Sequence, residues 1–306
     1  MSTKKRGLGR GLESLLSSVS APAEENDSES LRELALDSLH PGRHQPRRHF
    51  DDEALQSLDR HSFLVRPTSA LQDELAQVGT VFGGKLLQGR FGYVRTASVS
   101  GPALGHAQQY HDMIRDMDGD ATCGWVVDLR FNTGGNMWPM LAGVGPILGE
   151  GSPGRFVDAD GVRTPWYYEG GVSGVVQNGQ RVSASAAGTP YQLRRPAPPV
   201  AVLTGTSTAS AAEAITIAFR GRADTRSFGT GTAGLPTANS AYPMSDGAIV
   251  VLTTAWEEDR NGVRYTTRIS PDEAAGGIPD LGMDPATDAT LGTALQWLAA
   301  HPACQA

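Results

Sequence analysis

PPVAVLTGTSTASAAEAI, residues 198–215, decides the fold. A short apolar run, Val200 to Leu203, enters a Gly-Thr turn, and Ser210 stands where Ala, Ala, Glu, Ala and Ile begin a helix. A serine at a strand-to-helix junction is fixed by backbone geometry. The helix N-terminus adds positive potential for an oxyanion formed beside it, and several hydrolase folds present a nucleophile in this way. The simpler role for such a serine is helix capping. The sequence CGWVVDLRFNTGG, 123–135, favours the nucleophile, because it supplies a second buried strand that ends in a glycine pair.

Outward from these segments, strands alternate with helices. GRFGYVRTASV (89–99) reads as a strand, and HAQQYHDMIRDMD (106–118) as an amphipathic helix with Tyr110, Ile114 and Met117 on one face. NMWPMLAGVGPILG (136–149) continues as a helix. FVDADGVRTPWYYEGG (156–171) and the Gly/Ser/Ala-rich stretch after it read as loops or a hairpin. DTRSFGTGTAG (224–234) contains a strand, residues 248–273 form a β-hairpin turning at DRNG, and LGTALQWLAAHP (291–302) is a closing helix. The expected class is α/β, a mixed and largely parallel sheet with flanking helices.

The 306 residues carry a net charge of −7, which argues against nucleic-acid binding by the chain as a whole. No apolar run is long enough to span a membrane. The first twenty residues, MSTKKRGLGRGLESLLSSVS, lack the apolar core and cleavage site of a signal peptide, so the expected location is cytoplasmic. Cys123 and Cys304 are either a disulfide or two free thiols, and a cytosolic setting favours the thiols. No Cys/His cluster has metal-ligand spacing, and no cofactor or metal is expected. GTGTAG (229–234) lacks the ending of a phosphate loop and opens no helix.

Composition changes near residue 60. Residues 1–30 read as a flexible tail with a short helix at 11–16, and residues 31–58 as a short strand, a basic loop and a helix at 51–58. KKRGLGRGLESLL (4–16) and LDSLHPGRHQPRRHFDDEAL (36–55) resemble the start of ParB-type chromosome-partitioning proteins. The resemblance implies contact between the basic tail and a ParA-type ATPase. The GERR-type motif and helix-turn-helix of that family do not follow, so neither DNA binding nor CTP hydrolysis is implied.

GYVRTASV, VVDLRFNTGGNMWPML, VAVLTGTSTASAAEAI and SFGTGTAGLPTA, in this order, resemble the C-terminal processing (tail-specific) peptidase family, whose core is ClpP/crotonase-like. The resemblance covers residues 61–306, which gives an expected division into an N-terminal segment, 1–60, and a peptidase core, 61–306. It implies that Ser210 is the nucleophile and that the Gly135 and Ala211 amides form the oxyanion hole. Many members use a lysine as base; Leu235 stands at that position, and no lysine follows Lys85. The other branch, similar to tricorn-type and nisin-resistance peptidases, takes its base from a histidine ahead of the core. Asp59-Arg60-His61-Ser62-Phe63-Leu64 fits that pattern. His61 is the expected general base, with Ser62 helping to orient it.

The orienting carboxylate of the tricorn branch has no counterpart among residues 262–268. Glu257, Glu258 and Glu273 are the nearest acids, and Glu213 reads as structural, bonding nearby loop amides. Asp128 and Arg130 are expected to fix the loop that carries Gly134 and Gly135. His106, His111 and His301 are expected to be solvated. About thirty residues separate His61 from the GYVR strand, too few for the PDZ module of many relatives.

The sequence therefore points to a serine peptidase acting on peptide or protein substrates. The other reading is a catalytically impaired chimera that acts as a binding module through its ParB-like tail.

Overall fold

The computed structural model describes residues 59–65, 82–101, 103, 105–277 and 279–305. The ParB-like tail, its expected helices and most of the expected 1–60 segment lie outside the described residues.

Two sheets organise the chain. The first has six strands, in the order β14 (Glu273–Ala274), β10 (Thr225–Gly229), β9 (Val200–Thr204), β4 (Gly124–Asp128), β3 (Phe91–Arg95) and β2 (Gly83–Leu87). All neighbouring pairs are parallel except β2 with β3. Central parallel strands are covered on both faces and read as continuous apolar runs. GWVVD and VAVLT are accordingly buried at every position.

The two-residue side-chain period sorts these strands between two cores. Trp125, Val127, Val200 and Val202 share a core with three helices, α1 (His106–Met117), α2 (Met137–Leu148) and α3 (Ala211–Phe219). Val126, Ala201 and Leu203 pack on the opposite face with Leu291, Leu295 and Leu298 of α4 (Ala289–Ala300). The expected α/β class and its largely parallel sheet are present.

The second sheet departs from the sequence reading. Residues expected to be loops or a hairpin form four antiparallel strands: β5 (Gly154–Asp158), β6 (Arg163–Glu169), β7 (Val172–Gln177) and β8 (Gln180–Ala186). They continue through β12 (Ile249–Asp259), which also pairs with β1 (Phe63–Val65), β11 (Thr237–Pro243) and β13 (Arg264–Tyr265). Glycines 161, 170, 171 and 179 sit in the connections with positive φ. Gly174 lies inside β7, where a Cβ would meet the Val182 carbonyl at 2.0 Å. The small residues therefore mark close strand approach and tight turns. Phe156, Trp166 and Val175 carry this sheet onto the core around α2.

The C-terminus is fastened to the first sheet. Cys123 and Cys304 form a disulfide, with Cα atoms 5.2 Å apart and a sequence separation of 181. Arg130 is buried, with ion pairs to Asp128 and Asp288, and the Asp288 side chain also caps α4. Asp128 and Arg130 thus tie β4 to α4, a different task from bracing the glycine loop. His111 is buried and not solvated: its Nε2 donates to the Ala142 carbonyl, and its Nδ1 accepts from the Tyr191 amide. Burial lowers its pKa. No helix among the described residues is long and apolar enough to cross a membrane.

Candidate active site

β9 ends at Thr204, and six residues later the chain reaches Ser210 at the start of α3. The intervening loop is held from two sides. Thr208 Oγ1 donates to the Leu129 carbonyl and accepts from the Gly205 amide, while the Ala209 amide donates to the Asn132 carbonyl. Ser210 adopts φ 52° and ψ −120°, a backbone conformation rare for a residue with a side chain. Such strain persists only where the surroundings over-determine it, and it concentrates at functional sites.

Glu213 is the largest part of that support. Its carboxylate accepts from the Ser210 amide at 3.0 Å, the Gly234 amide at 2.9 Å, the Leu235 amide at 2.7 Å and the Thr232 hydroxyl. The structural role expected for Glu213 is therefore visible in detail. It clamps the turn before α3 to the loop that leads into β11. Leu235 contributes its amide to this clamp, and its side chain cannot act as a base.

The glycine pair closes against the same turn. A Cβ on Gly134 would lie 2.7 Å from Ser210 Cβ and 3.2 Å from the Ala211 nitrogen. A Cβ on Gly135 would lie 2.0 Å from the Val99 carbonyl oxygen. Both glycines have φ above 100°, so each is required twice, for space and for backbone angle. Asn132 braces this loop: its Oδ1 accepts from the Gly134 amide, and its Nδ2 donates to the Ala97 carbonyl and Thr96 Oγ1. Val99 donates to Gly134 O and accepts from Asn136 N. Among the described residues, the Gly135 and Ala211 amides have no hydrogen-bond acceptor. The glycine turn thus packs directly on Ser210 and the Ala211 nitrogen.

His61 stands just before β1, on the second sheet. The Asp59 carboxylate accepts from the His61 amide and from Thr253 Oγ1, and the Asn239 side chain donates to the His61 carbonyl. Ser62 Oγ accepts from the Thr253 amide, so its bond anchors the segment to β12 and not the imidazole. His61 is 7% exposed, and its Nδ1 lies 2.9 Å from Thr237 Oγ1. Thr237 opens β11, two residues beyond the Leu235 amide held by Glu213. One short loop therefore links the Ser210 turn to the histidine.

Burial pushes the His61 pKa down to about 4, against the opposing pull of Asp59 and the Thr237 bond. The imidazole is neutral at pH 7. In the tautomer whose Nδ1–H donates to Thr237 Oγ1, the Nε2 lone pair is the basic position.

The other acids are engaged elsewhere. Glu258 pairs with Arg264, Arg163 and Arg155, and Glu273 with Arg226. Glu257 is buried, and desolvation together with the nearby Glu213 charge raises its pKa well above the usual carboxylate range. Lys85 is exposed on β2, three strands from β9 across the sheet. Among the described residues no cluster of His, Cys, Asp and Glu is arranged to hold a metal.

Thr237 is the site residue that the sequence did not disclose. A search for an orienting carboxylate passes over a hydroxyl, and the only local signal is its place directly after Gly-Leu-Pro.

Comparison with known proteins gives a family and two relatives of unequal reach. The model of peptidase family S41 matches residues 90–275. A nisin-resistance protein from Lactococcus lactis subsp. lactis is 29% identical over 150 residues, 49% of this chain and 45% of that protein. A protein described as "Probable chromosome-partitioning protein ParB" from Pseudomonas putida is 46% identical over 63 residues, 19% of this chain and 22% of that protein. The chain thus spans less than half the length of these curated relatives. Among solved structures, a lipoprotein from Streptococcus agalactiae superposes with a TM-score of 0.60 at 25% identity, covering 81% of this chain and 79% of that one.

Proposed function

The chain belongs to peptidase family S41, and from that premise we propose that it is a serine peptidase with Ser210 as nucleophile and His61 as general base. The observation that carries this reading is the packing of the Gly134–Gly135 turn against Ser210 and Ala211, which leaves two amides free beside a strained serine.

In the proposed reaction Ser210 Oγ attacks the scissile carbonyl carbon while its proton passes to His61 Nε2. The carbonyl oxygen becomes an oxyanion and accepts hydrogen bonds from Gly135 and Ala211. Each such donor is typically worth about 3 kcal/mol in the transition state. Collapse breaks the C–N bond, and His61 returns the proton to the leaving amine. Water, deprotonated by the same imidazole, then releases the acyl group and restores Ser210. In this scheme Thr237 Oγ1 accepts from Nδ1–H, 2.9 Å away, and leaves the Nε2 lone pair for Ser210. The low His61 pKa keeps the base free of protons at neutral pH and limits its driving force, a deficit that a well-placed oxyanion hole offsets.

Intact-mass analysis after fluorophosphonate treatment tests the nucleophile. Wild type should gain one adduct and Ser210→Ala none. Equal labelling of both would overturn the assignment.

The ParB-like segment supports a second activity in the same chain, docking of a ParA-type ATPase by the basic tail. Retention of such an ATPase by the full chain should then disappear when Lys4, Lys5 and Arg6 are replaced by alanine. The Cys123–Cys304 bridge favours an oxidising compartment for the peptidase core, whereas a ParA partner requires the cytoplasm. Differential alkylation of the two cysteines in protein taken from cells distinguishes these settings.

A further inference from the structure

The end of α3 remote from Ser210 forms a second polar site that the peptidase chemistry does not use. A cavity of about 170 Å³ lies there, lined by Thr216, Arg220, Arg222, Thr225, Ser227 and Asp272 among others. A water molecule's share of liquid volume is about 30 Å³, so the space accommodates one tetrahedral oxyanion and accompanying water. Gly221, also in the lining, is exposed and marks the mouth.

The charge balance of this cavity is uneven. Arg222 is 9% exposed; its Nε donates to the Leu148 carbonyl and its Nη1 to the Ala223 carbonyl and Thr225 Oγ1. Its Nη2 is buried without a hydrogen-bond partner among the described residues, and no carboxylate there pairs with it. Arg220 Nε and Arg260 Nε are orphaned in the same way. Asp272, the carboxylate of the lining, is committed to Arg220 and to the Ser227 amide and hydroxyl. Desolvation and the nearby Arg260 push the Arg222 pKa down to about 10 against the opposing pull of Asp224, a carboxylate that is itself bonded to His301. A buried, unpaired guanidinium is costly unless a counter-charge accompanies it. Bonds from Arg222 and Arg260 to helix-end carbonyls explain part of this cluster, since cations suit helix C-termini. They leave the unpartnered N–H groups unexplained.

We propose that this cavity binds a small tetrahedral oxyanion of the phosphate or sulfate class, with Arg222 as its main charge partner. The anion would join the ends of α2 and α3 to β10 and so stabilise the helix whose first turn carries Ser210.

The test is thermal melting of the full chain at pH 7 in potassium phosphate, and separately in sodium sulfate, against chloride at matched ionic strength. Saturating phosphate should raise the wild-type midpoint by about 2–4 °C, and Arg222→Gln should lose that increment. Because this variant also loses the bond to Leu148, Thr225→Asp provides an independent check. It places a carboxylate beside Arg222, so it should raise the midpoint in chloride and remove the response to phosphate. No increment in wild type, or equal increments in all three proteins, would overturn the site; the second result identifies a general salting effect. Neither readout depends on catalysis.

Discussion

Ser210 is held by its neighbours' main chain and by one buried carboxylate, whereas His61 is held mainly by side chains, those of its own short segment and of the paired strands β11 and β12. Around Ser210 the supports come from four separate stretches of sequence: the β9 loop, Asn132 with the glycine pair, the Thr232–Leu235 loop and Glu213. Around His61 they come from Asp59, Ser62, Asn239, Thr253 and Thr237. Cooperative support on the core sheet makes the geometry of Ser210 a property of the fold. The histidine depends on a few hydrogen bonds at the point where the sequence changes character. The two parts of the site should therefore fail differently when disturbed.

The largest expected effect is on catalysis alone. His61→Ala should lower kcat/KM by about 10³-fold or more, since positioned general acid–base groups typically contribute about 10² to 10⁴. Its melting midpoint should stay within a few degrees of wild type. A cooperative loss of structure in this variant would show that the segment is part of the core, and the contrast between the two regions would vanish.

Glu213→Gln should damage both folding and activity. Four donors converge on this carboxylate, and the amide would turn an N–H group toward one of them. A loss of about 2–4 kcal/mol in urea unfolding is expected, along with reduced fluorophosphonate labelling. Unchanged stability would mean that the clamp is not what holds the strained serine.

Thr237→Val should have the smallest effect, a drop in kcat of about tenfold with KM and stability nearly unchanged. Thr237→Ser, which restores an acceptor for Nδ1–H, should recover most of the rate. Equal activity of the valine variant would remove Thr237 from the account.

Much of this arrangement is legible in sequence, for identifiable reasons. GWVVD and VAVLT announce buried parallel strands because no polar residue interrupts them before the C-terminal ends, where Asp128 and Thr204 stand. The Gly-Gly pair and Ser210 are legible because both sit where such strands end. The second sheet is not legible, since small and polar residues in β7 and β8 give a turn-like composition and their pairing is long-range only through β12. Thr237 is hidden for a related reason. Its role comes from a contact with a residue 176 positions away, and a lone threonine carries no periodic or charge signal. The burial of His111 is missed because the helix pattern places its neighbours Tyr110 and Ile114 inward and leaves the histidine's own partners, Ala142 and Tyr191, unstated.

Burial of His61 gives the account its pH signature. A histidine whose folded pKa lies below its unfolded value contributes stability above about pH 6.5 that is lost as pH falls toward about 4. The same shift would keep His61 unprotonated, and so able to act as the proposed base, in mild acid. The most direct measurement is the second-order rate of fluorophosphonate labelling at Ser210 between pH 8 and pH 4, in wild type and His61→Ala. Wild type should label at a constant rate down to about pH 5 and fall to half near pH 4, while His61→Ala should label at least a hundredfold more slowly at every pH. Equal rates in the two proteins, or a wild-type midpoint near pH 6.5, would contradict a buried His61 acting on Ser210.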